Sequence, residues 1–248
     1  VEPTLLFGRA AQRYDLLRPR YPERAFDELA RVLGGLGGAR VLEVGAGTGL
    51  ATAELLDRDA KVTALEPDPS MRCVLAARFP QLEIATTRLE DHEGPDYDAV
   101  VGFQSLHWID QTALWEVTAR LLRPGGVLAG VWQLTKIADH RAAAAIAQVL
   151  LMHRGNLRRG SHAIVNDGIA RLEHTRTAHF GPAVRTEFPW SELRSAASLA
   201  GLLATMSDVL ELGEEARPCE VALANALAPF EPLAVEFHCV VVVRHRRT

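Results

Sequence analysis

The sequence predicts an α/β fold in which a mainly parallel sheet carries helices on both faces. Strand-length apolar runs alternate with helix-length runs from Arg40 to Trp132, and a glycine-rich turn, Gly45-Ala46-Gly47-Thr48-Gly49, joins the first strand to a helix. Such alternation favours parallel neighbours, because two parallel strands need a long crossover and a helix supplies it. With 248 residues, 48% of them hydrophobic and 23% charged, the chain has room for a substantial core in one domain. No uncharged apolar run reaches the roughly 20 residues that a bilayer span requires.

Taken in order, residues 5–17 read as a short helix, stopped at Arg18-Pro19-Arg20-Tyr21-Pro22 by the backbone restrictions around proline. A second helix spans Glu23–Leu33, with Phe26, Leu29, Ala30 and Leu33 on one face, and the glycines of 34–38 end it. The core then reads as a strand over Arg40–Val44, a helix over Leu50–Leu56, a strand over 62–65 and a helix over 69–79. Strands over 82–85 and Tyr97–Phe103 follow, then a helix over 112–122, a turn at Arg123-Pro124-Gly125-Gly126 and a strand over 127–132. Right-handed crossovers place the strand ends, and with them a ligand, along one edge of the sheet. Beyond Gln133 the pattern is an Ala-rich helix over 139–152, a polar stretch through Gly160-Ser161, a strand over 183–188, helical segments over 196–210 and 214–227, and a last strand over 235–244. That makes seven strands in all.

Charge and cysteine content narrow the partners. A net charge of -4 gives no general attraction to a phosphate backbone, although Arg244-His245-Arg246-Arg247 is locally basic. Cys73, Cys219 and Cys239 are scattered and lack metal-ligand spacing, which suits a reducing compartment. The expectations are a small-molecule partner, no nucleic acid, no membrane span, no required metal and a cytoplasmic address.

The glycines at 45, 47 and 49 allow a tight turn and let a ligand approach the backbone with no Cβ in the way. A dinucleotide fingerprint needs glycine or alanine three positions after Gly47, where this chain has Leu50. Glu66 ends the second strand, where an acid can accept both hydroxyls of a ribose. These residues alone point to a nucleoside-bearing cofactor. They leave an NAD-dependent oxidoreductase and a non-catalytic binding module as alternatives.

Val41-Leu42-Glu43-Val44-Gly45-Ala46-Gly47-Thr48-Gly49 resembles the first motif of class I S-adenosylmethionine-dependent methyltransferases. Later motifs follow in the same order: Ala64-Leu65-Glu66-Pro67-Asp68, Arg88-Leu89-Glu90-Asp91, Tyr97–Phe103, and Leu121-Leu122-Arg123-Pro124-Gly125-Gly126. Phe7-Gly8 through Tyr14, Arg18 to Pro22, and Leu106-His107-Trp108-Ile109 resemble a bacterial small-molecule branch related to the ubiquinone/menaquinone methyltransferases. Phe188-Pro189-Trp190 and the stretch 202–207 extend that likeness.

The resemblance implies a Rossmann-like seven-stranded sheet with an antiparallel last strand, S-adenosyl-L-methionine as cofactor, and methyl transfer to a small molecule in secondary or cofactor metabolism. It implies a helical cap over 1–38, a cofactor core over 39–132 and an acceptor side over 133–248. It also implies residue roles: Glu43 with Gly45, Ala46, Gly47, Thr48 and Gly49 near the methionine amino group, Glu66 at ribose, and Leu89 and Glu90 beside adenine. Pro67 and Met71 give apolar contact to the nucleoside, while Tyr14 and Arg18 close over the cofactor, with Arg18 at its carboxylate.

A sulfonium methyl is already activated, so alignment and water exclusion carry much of the rate. For a hydroxyl or protonated amine acceptor, His107 is the candidate general base, because histidine titrates near neutrality and this one follows the fourth strand. Trp108 and Trp132 are candidates to line the acceptor pocket, with core packing as the alternative use. His140 and His153 are further pocket candidates. His153 and His162 lack zinc-site spacing. The stretch from Gln133 to Gly181 matches no motif, so the acceptor is hidden there.

Overall fold

Strands β1 (Arg40–Val44), β2 (Lys61–Leu65), β3 (Glu83–Ala85) and β4 (Tyr97–Phe103) form the parallel half of the sheet in a computed structural model. The structure describes residues 11–94, 96–154 and 161–248. β5 (Leu122–Ile137), β6 (Val184–Arg194) and β7 (Leu233–His245) complete seven strands in the order β3-β2-β1-β4-β5-β7-β6. β7 is antiparallel to both of its neighbours and the other pairings are parallel, which is the expected fold class.

Helices α1 (Ala11–Leu17), α2 (Glu23–Leu33), α3 (Leu50–Leu56), α4 (Pro69–Arg78) and α5 (Gln111–Leu121) accompany the parallel half. Both faces of that half are buried, in two clusters that divide successive residues of each strand by the period of two. Leu42, Val100, Leu128 and Trp132 pack with Leu114 and Trp115 of α5. Val41, Ala99, Val101, Val127 and Val131 pack instead with Phe26 and Leu29 of α2 and Leu55 of α3. Phe26, fully buried, stacks on Phe103 with ring centroids 5.3 Å apart, and burying such a ring stabilises by roughly 2–3 kcal/mol. A third cluster joins α6 (His140–Arg154), α8 (Ala196–Ala204) and α10 (Ala216–Leu227) to Val235 and Phe237 of β7.

Several boundaries differ from the sequence expectation. Of the helix expected over 5–17, residues 5–10 lie outside the described residues, as do Phe7 and Gly8 of the entry motif and Gly160 of the polar stretch. The turn at 123–126 is an irregular passage within β5: pairing with β4 jumps from Tyr97↔Leu122 to Ala99↔Val127, and Gly125 adopts φ 75°. β5 also runs past Trp132 to Ile137, because β7 pairs with it that far, at Ile137↔Val235. β6 continues through Pro189 to Arg194, which an edge strand tolerates since one side of its backbone needs no ladder partner. The segment 196–210 breaks at Thr205-Met206 into α8 and the short α9 (Ser207–Leu210). The largest difference is α7 (Ser161–His174), a helix where no element was expected. Its Val165, Ile169 and Leu172 recur at helical spacing and pack into the cluster around Trp132.

Candidate active site

The loop after β1 owes its shape to two close approaches. A Cβ on Gly45 (φ 70°) would stand 2.7 Å from the Ser105 Cβ, and one on Gly49 (φ 87°) would stand 2.6 Å from Leu75 Cδ1. Gly47 (φ 61°) differs, with nothing within 4 Å of its Cβ direction, so its outer side is open. The Gly47 N–H donates to Glu66 Oε2 at 2.7 Å, and the Asp68 N–H donates to Oε1 at 2.8 Å. These two bonds fix Glu66 at the mouth of the loop. Burial still pushes its carboxyl above the usual range, against the two N–H donors.

Glu43 lies deeper, on β1, accepting from the Thr52 hydroxyl at 2.6 Å. Burial raises its pKa to about 8, opposed by the Thr52 bond and assisted by the charge of Glu66. It is therefore largely protonated at neutral pH. α1 is tied across the loop by Asp15, which accepts from Thr48 Oγ1 at 3.0 Å and from Arg78 Nη1 at 2.5 Å. Sequence reasoning missed Asp15 and Arg78, whose contact spans 63 residues.

Around Glu66 opens a cavity of about 900 Å³ that brings together Tyr14, Gly45, Gly47, Pro67, Met71, Leu89 and Glu90. Glu43, Ala46, Thr48 and Gly49, expected at the cofactor, do not line it: Glu43 is turned to Thr52 and the Thr48 hydroxyl to Asp15. The Glu90 Oε2 atom is buried with no hydrogen-bond partner among the described residues, an acceptor awaiting a donor. Ribose hydroxyls for Glu66, an exocyclic amine for Glu90 and the open side of Gly47 make a cradle that fits an adenosine-bearing cofactor.

A second cavity, of about 580 Å³, lies beside the first and shares Tyr14, Gln104 and Trp108 with it. Arg18, His107, Gln133 and His162 also face it. Arg18 does not line the Glu66 cavity; its Nε and Nη2 donate to Thr205 Oγ1 and O, each at 2.9 Å, and its guanidinium lies 4.8 Å from the Tyr14 ring centroid. Trp132 is fully buried and lines neither cavity, but its indole N–H donates to His107 Nδ1 at 3.2 Å. An indole nitrogen only donates, so Nδ1 is the lone-pair nitrogen and the neutral ring carries its proton on Nε2. Burial above all, then the charges of Arg171 and Arg18, lower the His107 pKa to about 3.

His107 is fixed from beneath. Arg171 Nη1 and Nη2 donate to the carbonyls of Ile109 and Leu106, and Gly168 of α7 lies so close that a Cβ there would be 2.4 Å from the His107 Cβ. His140 is exposed at the start of α6 and lines neither cavity; His153 faces Glu215 at 3.6 Å. Gln104, unremarked in the sequence, sits at the wall between the cavities with φ 55°, an uncommon conformation for a residue other than glycine. Its Nε2 donates to the Gln133 carbonyl at 2.9 Å, and its Oε1 is buried without a partner among the described residues. The only sequence signal was a polar residue directly after an apolar strand.

Comparisons with known proteins accord with this geometry. Residues 42–128 match the family model described as a methyltransferase domain. An uncharacterised methyltransferase of Mycobacterium tuberculosis is 40% identical over 131 residues, covering 52% of each chain. A ubiquinone biosynthesis O-methyltransferase of Alkalilimnicola ehrlichii is 36% identical over 110 residues, 40% of this chain and 44% of the other. The chain thus spans about half the length of the curated relatives it matches. Among solved structures, a putative type II methyltransferase from Anaeromyxobacter dehalogenans superposes with a TM-score of 0.63 at 25% identity, over 91% of this chain and 97% of that one. A methyltransferase from Thiobacillus denitrificans in complex with S-adenosyl-L-homocysteine shares the fold, with a TM-score of 0.54 at 16% identity over 100% of this chain and 99% of that one.

The sheet order gives the chain the fold shared with these methyltransferases. Residues 42–128 carry the chain's match to a methyltransferase domain.

Proposed function

We propose that the chain binds S-adenosyl-L-methionine in the Glu66 cavity and transfers its methyl group to a small molecule held in the His107 cavity. The observation that carries this reading is the shared wall: Tyr14, Gln104 and Trp108 line both cavities, so a donor in one and an acceptor in the other meet across three side chains. Glu66 holds the ribose, and Glu90, with Leu89, meets the adenine. Pro67 and Met71 pack on the nucleoside, and Glu43 supports the loop at the methionine end. The cofactor supplies an activated methyl; the chain aligns the partners and excludes water. Tyr14, on α1, covers the junction, in keeping with residues 1–38 as a cap, 39–132 as cofactor core and 133–248 as acceptor side.

His107 touches the acceptor as an Nε2–H donor, because Trp132 occupies the nitrogen that would act as a base. A small acceptor is favoured by the size of the second cavity and by the partial likeness to a ubiquinone biosynthesis O-methyltransferase. No helix among the described residues is long and apolar enough to cross a membrane. The test is transfer of labelled methyl from S-adenosyl-L-methionine to small-molecule fractions. Label should enter small molecules, and His107→Ala should slow the transfer while leaving cofactor affinity within about twofold. Label confined to macromolecules would refute the reading.

A further inference from the structure

The wall of the second cavity holds a cation and neutral donors but, among its described residues, no carboxylate. Arg18 is fixed on Thr205 through Nε and Nη2 and has no acidic partner among the described residues. A partly buried cation without a counter-charge is costly unless an anion arrives to meet it. A protonated amine entering here would face Arg18 with like charge. An alcohol would need a base, and the wall is poor in them: His107 Nδ1 is taken by Trp132, while His162 lies with Nε2 3.1 Å from the Thr135 carbonyl and so keeps only Nδ1. A carboxylate needs no base, because it is already ionised at neutral pH.

Resting on the methyl-transfer reading above, we propose that the acceptor is a small carboxylic acid bound as its carboxylate and converted to its methyl ester. Arg18 draws in the anion, His107 Nε2–H donates to it, and Leu134, Ile164, Val165 and Met206 receive its apolar body. The carboxylate oxygen forms a bond to the methyl carbon as the carbon–sulfur bond breaks, and its electron pair passes to sulfur. No proton moves, and the products are the ester and S-adenosylhomocysteine. Arg18 thereby serves the acceptor, on the side of the wall where it is found, in place of the cofactor carboxylate that the family resemblance implied.

The experiment incubates the purified chain with methyl-labelled S-adenosyl-L-methionine and a matched set sharing one apolar body: phenylpropionate, phenylpropanol and phenylpropylamine. The same assay is run on an acid-extractable metabolite fraction. Alkali converts a labelled methyl ester to volatile labelled methanol, and ethers and methylamines survive it. The expected result is carboxylate-dependent, alkali-labile label. Alkali-stable label in the alcohol or the amine overturns the proposal, as does a lack of labile label in every arm while calorimetry shows the cofactor bound. Absence of cofactor binding overturns the methyl-transfer reading as well, and so separates the two failures. Arg18→Gln should raise KM for the labelled acid about tenfold, the worth of a charge-assisted hydrogen bond, with cofactor Kd within twofold, and Arg18→Lys should recover part of the loss. A weakened cofactor Kd with an unchanged acid KM places Arg18 at the cofactor and overturns its assignment to the acceptor.

Discussion

The indole N–H of Trp132 donates to His107 Nδ1 at 3.2 Å, and that bond fixes the proton of the neutral imidazole on Nε2. Trp132 comes from the middle of β5 and His107 from the short turn Leu106–Trp108 that follows β4. The pairing of β4 with β5 at Phe103↔Val131 brings them together.

Trp132→Phe removes the donor while keeping an aromatic ring in the core. The folded state should lose about 1–2 kcal/mol from the bond, with some further loss from the smaller ring. Nitrogen shifts of His107 should report Nε2–H alone in the parent chain and a mixture of tautomers in the variant. Identical shifts in the two proteins would show that the indole does not set the proton.

Gly168→Ala places a methyl 2.4 Å from the His107 Cβ and 3.1 Å from its Cα, so backbone has to move. Overpacking of this kind costs roughly 1–3 kcal/mol. Thermal unfolding should show the loss, and methyl transfer should fall with it because His107 is displaced. A variant as stable and as active as the parent would mean that α7 does not seat His107.

Glu43 supplies a pH signature. Its folded pKa of about 8 lies above the ordinary carboxylate value, so from about pH 4.5 to 8 the folded chain holds a proton that the unfolded chain has released. Its contribution to stability is therefore full below that window and is lost as pH rises through it, by about 1.4 kcal/mol per pH unit. Glu43→Gln cannot ionise, so its Tm should gain on the parent from pH 5 to 8. A constant difference across that range would show an unperturbed carboxyl.

Legibility in the sequence followed locality. The β1 loop, Glu66 and the Leu89-Glu90 pair are each contained in a few consecutive residues, and the structure brings all three to one cavity. The Trp132–His107 bond, the Asp15–Arg78 tie and the seat of Arg18 on Thr205 join residues 25, 63 and 187 positions apart, and nothing in residue order announces them. Helix α7 was hidden for another reason. Its apolar stripe of Val165, Ile169 and Leu172 is interrupted by Gly168, which sits in the helix because His107 lies against it. Helix propensity argues against glycine there, and packing overrides it.

Glu66→Ala removes the carboxylate that the Gly47 and Asp68 N–H groups hold in place. Cofactor affinity should weaken by about 1–3 kcal/mol through lost ribose hydrogen bonds. An unchanged Kd would remove Glu66 from the site.

The central claim is that the Glu66 cavity takes a sulfonium nucleoside and not a dinucleotide, and isothermal titration with each ligand separately tests it most directly. S-adenosyl-L-methionine should bind one site per chain with saturable heat that Glu66→Ala weakens, and NADH should give none. Saturable NADH binding with no response to S-adenosyl-L-methionine would contradict the account.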